Sequence, residues 1–298
     1  MSVSEPIPVT AIILTFNEAT NIERCLLALD RFADIVVVDS GSTDGTCERA
    51  VRVRPRVRIF SHPFIDFGDQ RNWAMENTAP RYPWILFVDA DEFMEEPLAS
   101  EIGRFARDPG TFVGAFIAGR NYFLGRWLRR TTLFPSYQLR LALKGHVTYR
   151  AEGHGQREET PGPLHYLEAS WRHEPLSKGI PQWIDRHNRY STDEVALIVR
   201  LRQEPLRGGE LFSRDPIVRR RTAKRLAARM PLRPLARFLY TYVLRLGFLD
   251  GMPGLYYCLL RLSHDIHIAV KVAYRERAEG PVPAASATPT SPMPRPPG

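Results

Sequence analysis

The sequence predicts an α/β protein with a mostly parallel central sheet, helices on both faces, and a helical, amphipathic carboxy-terminal extension. Three observations carry this expectation. Over roughly the first ninety residues, uniformly apolar, β-branched runs alternate with helical stripes, as βα repeats do. Polar and acidic motifs follow those runs, at the strand ends where open parallel sheets bind ligands. A chain of 298 residues with 44% hydrophobic side chains can also bury a sizeable core.

The elements follow in order. Val9–Leu14 reads as a strand buried on both faces. Ile22, Cys25, Leu26 and Leu29 have the i, i+3, i+4, i+7 spacing of a helix. Ile35–Val38 is a second strand, ending in Asp39 and the turn Ser40-Gly-Ser-Thr-Asp44-Gly45, with a short helix after it. Val57–Phe60 is a third strand, Asp69–Asn77 a helix, and Trp84–Val88 a fourth strand entering Asp89-Ala-Asp91-Glu92. From about residue 97 to 175 the pattern is less regular. Strands are expected at Thr111–Ile117 and Tyr137–Leu143, then Gly- and His-rich pieces at Glu152–Gln156 and Trp171–Glu174. Helices are expected over Ile180–Arg200, Leu235–Phe248 and Leu255–Ala273. Residues 278–298 are rich in Pro, Ala, Ser and Thr and read as a disordered tail.

Composition excludes a disulfide-stapled miniprotein, a collagen and a wholly disordered chain. Cys25, Cys47 and Cys258 form no CxxC pair and read as small apolar residues in a reducing compartment. MSVSEPIPVT has no basic region followed by an apolar run, so a cytoplasmic start is expected. The net charge of +8 is localised: residues 200–240 hold twelve Arg and Lys against Glu204, Glu210 and Asp215. A localised basic surface implies a localised anionic partner.

Asp89 and Asp91 are the most informative pair. Alternate residues of an extended chain point the same way, so both carboxylates can converge on one cation. Mg²⁺ or Mn²⁺ held by one or two carboxylates completes its shell with water and substrate phosphates. Acidic turns that simply end strands and cap helices have the same look. Asp39 can likewise accept from a base N–H or ribose hydroxyl, or it can form an ordinary Asx turn. The Gly and Ser/Thr residues after it let backbone amides approach a ligand. No GxGxxG follows the first strand, which argues against a nicotinamide dinucleotide fold.

Thr15-Phe-Asn-Glu18, Val37-Val-Asp-Ser-Gly-Ser-Thr-Asp-Gly-Thr46, Gly68-Asp-Gln-Arg-Asn72 and Leu86-Phe-Val-Asp-Ala-Asp-Glu92 together resemble successive signatures of family 2 glycosyltransferases. These are inverting enzymes of the GT-A fold. The strongest likeness is to bacterial enzymes of lipopolysaccharide-core and exopolysaccharide assembly. The resemblance implies a catalytic domain over residues 1–178, with a nucleotide-sugar-binding half at 6–96 and an acceptor half at 97–178. Residues 179–277 would form a helical extension. It implies a UDP-sugar donor, a divalent cation and a lipid-linked saccharide acceptor. Thr15, Asn17 and Glu18 would line the nucleotide pocket with Ser40, Asp39 would meet the uracil or its ribose, and Asp44 would lie near. Arg71 would approach the diphosphate or position the carboxylates; alone, it reads as a surface residue paired with Asp69. Asp89 and Asp91 would hold the metal.

Inversion by single displacement needs a base for the acceptor hydroxyl. Relatives carry a His-Glu pair where this chain has Glu152-Gly-His154-Gly-Gln156. Glu152 is the first choice and His154 the second, with a role on metal or phosphate as its alternative. His173-Glu174 is a later candidate, and His187–Ser191 matches a feature of the exopolysaccharide relatives or packs a helix on the sheet.

Arg237, Arg245, Asp250, Arg261 and Asp265 interrupt the apolar carboxy-terminal region, so no run reaches the ~18 uncharged residues of a spanning helix. The stripe Phe238, Leu239, Tyr242, Val243, Leu246 and Leu249 beside the basic segment suits peripheral docking on anionic inner-leaflet lipid. Packing on the catalytic domain or in a dimer is the alternative. Transfer to polyprenyl phosphate, with the 214–233 arginines as its phosphate pocket, is the nearest competing activity. Nucleic-acid binding leaves the strand-end carboxylates unexplained, and no nucleic-acid partner is expected. A membrane scaffold with a degenerate site is the third alternative.

Overall fold

A computed structural model describes residues 5–152, 155–206, 209–212 and 216–278. The amino-terminal elements are β1 (Ile7–Thr15), α1 (Ile22–Ala28), β2 (Phe32–Asp39), α2 (Thr46–Val53), β3 (Arg58–Ser61), α3 (Phe67–Asn77) and β4 (Trp84–Asp89). Next come β5 (Glu92–Phe93), α4 (Glu96–Arg107), β6 (Gly114–Phe123), β7 (Arg126–Trp127), β8 (Tyr137–Leu143), β9 (Thr148–Glu152), β10 (Gly155–Glu159) and β11 (Leu164–His173). The helices α5 (Ile180–Gln203), α6 (Pro216–Arg229), α7 (Arg233–Leu239) and α8 (Gly251–Ala278) complete the chain.

The main sheet runs β3-β2-β1-β4-β8-β6-β11-β5, with β7 attached to β6. Strands β3, β2, β1 and β4 are parallel, β8 is antiparallel to both its neighbours, and β6 and β11 are parallel again. This is the α/β architecture the alternation predicts. Its apolar strands are covered on both sides, so alternate residues feed two cores. Ile13, Val37, Leu86 and Val88 pack with α1 and α4, while Ile12, Val36, Ile85 and Phe87 pack with α3. The strand register sets the site: Thr15 lies opposite Asp39, and Leu14 opposite Asp89. The polar ends of three neighbouring strands therefore form one rim.

Several elements differ from expectation. Helix α3 starts at Phe67, two residues before Asp69, because Asp66 caps it and accepts from the Asp69 N–H at 2.8 Å. Helix α4 was not foreseen, although Pro97 in its first turn, buried Leu98 and Ile102, and Arg104 and Arg107 in its last turn are helix signals. The Gly- and His-rich piece after Tyr149 is a β-hairpin, β9–β10. The helix expected over Leu235–Phe248 is broken: α7 ends at Leu239, a π-turn covers Tyr240–Leu244, and Leu246 is left-handed at φ 58°. Gly247 then leaves no room for a Cβ, which would lie 2.6 Å from the Thr241 carbonyl oxygen. The expected tail lies outside the described residues.

The helices carry their own core of Val195, Ile198, Leu201, Ala228, Ile268 and Val272. Part of the basic segment is consumed there. Arg225 pairs with Glu204 and Glu210, Arg202 with Glu276, and Arg229 donates to the carbonyls of Arg202 and Glu204. Among the described residues no helix is long and apolar enough to cross a membrane.

The β9–β10 hairpin is fastened to α3. Asn72 exchanges two hydrogen bonds with the Tyr149 backbone at 2.7 and 2.9 Å. A Cβ on Gly68 would lie 2.9 Å from the backbone carbon of Arg150. Gly68→Ala gains helix propensity of about 1 kcal/mol but meets backbone that cannot rotate away. A net loss of roughly 1–2 kcal/mol is expected in denaturant unfolding; a more stable variant would show that the hairpin does not need this approach.

Candidate active site

The loops after β1 and β2 are cross-linked through side chains. The Asp39 carboxylate is buried and accepts from the hydroxyls of Thr15 (2.8 Å) and Ser42 (2.5 Å) and from the amides of Gly41 (3.0 Å) and Ser42 (2.7 Å). Those donors fill its acceptor capacity, so Asp39 organises the turn in this structure, and a ligand donor must displace one of them. Asn17, in a left-handed conformation at φ 54°, accepts from the Thr43 amide at 2.8 Å. Asp44 accepts from the Ala19 amide at 2.9 Å and from Thr46. Ser40 accepts from Gln70 of α3 at 3.0 Å. Glu18 pairs with Lys178 at 2.5 Å, and burial raises its carboxyl against the pull of Lys178 and Asn21.

The second cluster is the acidic rim. Arg140, buried in β8, bridges Asp89 at 2.8 Å and Glu92 at 2.7 Å. Arg71 approaches Asp89 at 3.7 Å from α3, lies over the Phe87 ring and touches Gln156 of the hairpin. The surface reading of Arg71 fails, because Asp69 pairs with His62 at 2.8 Å instead. Although burial opposes ionisation, Arg140 and then Arg71 hold Asp89 well below the ordinary carboxylate range. Glu92 is pushed upward by burial, against Arg140. Exposure separates the two: Asp89 is 36% exposed and Glu92 only 4%. Asp89 is reachable from solvent, whereas Glu92 anchors Arg140.

Asp91 lies 3.4 Å from His173 Nε2 and 3.9 Å from Arg186 of α5. Against the cost of burial, His173 lowers the Asp91 carboxyl and Asp91 raises the His173 imidazole. His173 Nδ1 donates to Asn121 at 2.7 Å, which turns Nε2 toward the carboxylate. A ring nitrogen aimed at a carboxylate needs either a proton or a cation between them. Among the described residues no three His, Cys, Asp or Glu side chains are grouped to hold a metal. A two-donor set fits a hard divalent cation whose remaining ligands come from phosphate and water.

Glu152, 27% exposed, ends β9 and has Arg157 at 4.0 Å. His154 lies outside the described residues. Glu174 is claimed by Arg24 and Arg172, both at 2.6 Å, which hold it below its usual range against burial. His187 stacks on Trp183 at 3.5 Å and is depressed to about 3, chiefly by burial.

Arg140, Asn121, Lys178 and Arg186 were not singled out from sequence. Arg140 had a signal: an arginine inside the apolar strand Tyr-Gln-Leu-Arg-Leu-Ala-Leu must find a buried partner. The others are brought in from distant segments, and no local pattern marks them.

The family match gives the class of protein, a transferase with a nucleotide-sugar-binding fold. Residues 10–157 match the model for Glycosyl transferase family 2, and the chain belongs to that family. The lipopolysaccharide core biosynthesis glycosyltransferase LpsC of Rhizobium meliloti (strain 1021) is 28% identical over 199 residues, covering 62% of this chain and 70% of LpsC. Glycosyltransferase SunS of Bacillus phage SPbeta is 34% identical over 101 residues, covering 33% of this chain and 24% of SunS. The crystal structure of S. aureus TarS 1-349 with UDP-GlcNAc shares 13% identity, covering 91% of this chain and 92% of that one at a TM-score of 0.41. A likeness that loose assigns no ligand.

Removing the Arg140 guanidinium leaves Glu92 buried without its cation. Arg140→Met should cost about 3–5 kcal/mol in denaturant unfolding. A loss under about 1 kcal/mol would mean that the bridge is not needed.

Proposed function

We propose that this glycosyltransferase moves a sugar from a UDP-sugar to a lipid-linked saccharide acceptor by single displacement with inversion, in polysaccharide assembly of the lipopolysaccharide-core kind. The observation that carries the reading is the acidic rim: Asp89 open to solvent, and Asp91 facing His173 beside the cross-linked β1 and β2 loops. The extended likeness to LpsC supports the acceptor class. Thr15, Asn17, Glu18, Asp39, Ser40 and Asp44 would hold the nucleoside, with Asp39 exchanging an internal bond for one from the base or ribose.

Asp91 and His173 would hold a divalent cation, with Asp89 beside them. Bound there, it would neutralise charge growing on the departing diphosphate. The chain's own residues contribute to the same end. Among the described residues Arg140 Nη1 and Arg71 Nε are buried without acceptors, so the rim carries more guanidinium donors than internal acceptors. Glu152 would accept the acceptor hydroxyl's proton while the anomeric carbon develops oxocarbenium character. Its place on the hairpin fastened to α3, whose Gln156 touches Arg71, supports that assignment over Glu174.

Peripheral attachment to the cytoplasmic face of a membrane completes the reading. It is supported by exposed apolar residues on the carboxy-terminal elements, among them Leu239, Val243, Leu244 and Phe248.

Two measurements test the reading. Asp91→Asn should lower UDP-releasing turnover on the order of 10²–10³-fold, and chelation should abolish it in the parent until Mg²⁺ or Mn²⁺ is returned. Metal-independent turnover would overturn the cation assignment. Glu152→Gln should lower turnover on the order of 10²–10⁴-fold with UDP affinity unchanged, and near-parental activity would move the base elsewhere.

A further inference from the structure

We infer that the cavity between the Thr131–Leu133 turn and helices α7 and α8 is a subsite for the phosphate ester of an amphiphilic acceptor, gripped by Arg237 and Arg261. Calling that amphiphile an acceptor rests on the transferase reading; the phosphate site rests on the cavity itself.

The cavity has a volume of about 200 Å³ and lies apart from the rim residues described above. Asp265 is the carboxylate among its described lining residues. It is 3% exposed and both its oxygens accept from Arg237 Nη1, at 3.2 and 3.3 Å. Asp250, behind Thr131 and not itself a lining residue, accepts at Oδ2 from the amides of Arg130 and Thr131 and from the Thr131 hydroxyl, at 2.8–2.9 Å. The Thr132 hydroxyl is bonded to the Leu128 carbonyl. Recognition therefore falls to the arginines. Arg261 is half-buried, and no hydrogen bond or ion pair reaches its guanidinium among the described residues.

Two guanidiniums thus share one cavity with a single committed carboxylate. Burial and then the charge of Arg261 lower the Arg237 guanidinium, and Arg233 adds to the repulsion. With Arg237 given to Asp265, Arg261 brings a second cation to the same cavity, and an arriving anion would relieve the repulsion between the two. Two guanidinium forks suit a tetrahedral oxyanion, which offers several oxygens at once. Leu133, Phe238 and Tyr257 add apolar surface to the wall, beside Thr241. On the same helix Leu235 and Leu239 are 47% and 48% exposed, as the hydrocarbon part of an amphiphile requires.

The subsite adjoins the reaction centre through α5. His264, three residues after Arg261 on α8, has its ring 5.5 Å from His187 and its Nδ1 3.1 Å from the His187 carbonyl oxygen, so this part of α8 lies against that helix. The residue before His187, Arg186, reaches Asp91 at 3.9 Å.

The test uses the full chain, inorganic phosphate, and phosphatidylcholine vesicles with or without phosphatidic acid. Arg261→Gln is the variant of choice, because no carboxylate depends on that side chain; Arg261→Lys serves as the charge-preserving control. Phosphate should bind the parent at least about ten-fold more tightly than Arg261→Gln by calorimetry, with the lysine variant between them. Phosphatidic acid vesicles should capture the parent and lose Arg261→Gln, while phosphatidylcholine alone captures neither. Equal phosphate binding by parent and variant, or none by the parent, overturns the site. Lost phosphate binding with undiminished vesicle capture overturns the lipid source. UDP binding is measured alongside: its absence from the parent strikes the transferase reading and leaves the phosphate result standing.

Discussion

One buried guanidinium holds the reaction rim together. Arg140 enters from β8, the strand that runs against its neighbours, and binds Asp89 and Glu92 at once. In a medium of low dielectric neither a lone arginine nor a lone carboxylate is tolerable, so the three groups must assemble or none can be buried. The bridge leaves Asp89 ionised and partly exposed at the end of β4, and it ties the amino-terminal half of the sheet to the later half. Arg71 adds a second cation from the opposite layer, over the Phe87 ring.

Around this bridge the rim is built by register rather than by any one loop. The parallel pairing of β1 with β2 and β4 brings Thr15, Asp39 and Asp89 to one level. The loops above are then stiffened by side chains bonded to backbone across them, as Asn17 is to Thr43 and Asp44 to Ala19. Such a surface is largely formed before a ligand arrives, which lowers the ordering cost of binding. The saturated Asp39 carboxylate is the exception, because any donor arriving there must trade an internal bond for an external one.

The carboxy-terminal helices belong to the site as well as to the scaffold. Lys178, just before α5, neutralises Glu18, and Arg186 on α5 reaches Asp91. Part of the basic segment, Arg202 and Arg225, is spent on Glu204, Glu210 and Glu276 inside the helical layer. Those arginines serve the helical layer rather than an external partner.

How much could be read without the structure depended on the range of the interaction. Strands β1, β2, β4 and β8, helix α5 and the strand-end carboxylates were legible because backbone periodicity and strand ends are local properties of the chain. Helix α4 carries local signals too, in its proline and its charged ends. The break after Leu239 was not legible, since it depends on Gly247 fitting against the Thr241 carbonyl and Thr131. Pairings such as Arg140 with Asp89, His173 with Asn121 and Arg186 with Asp91 were decided only by the tertiary structure. They join residues dozens of positions apart, and a charge leaves no local mark of the partner that burial will force upon it.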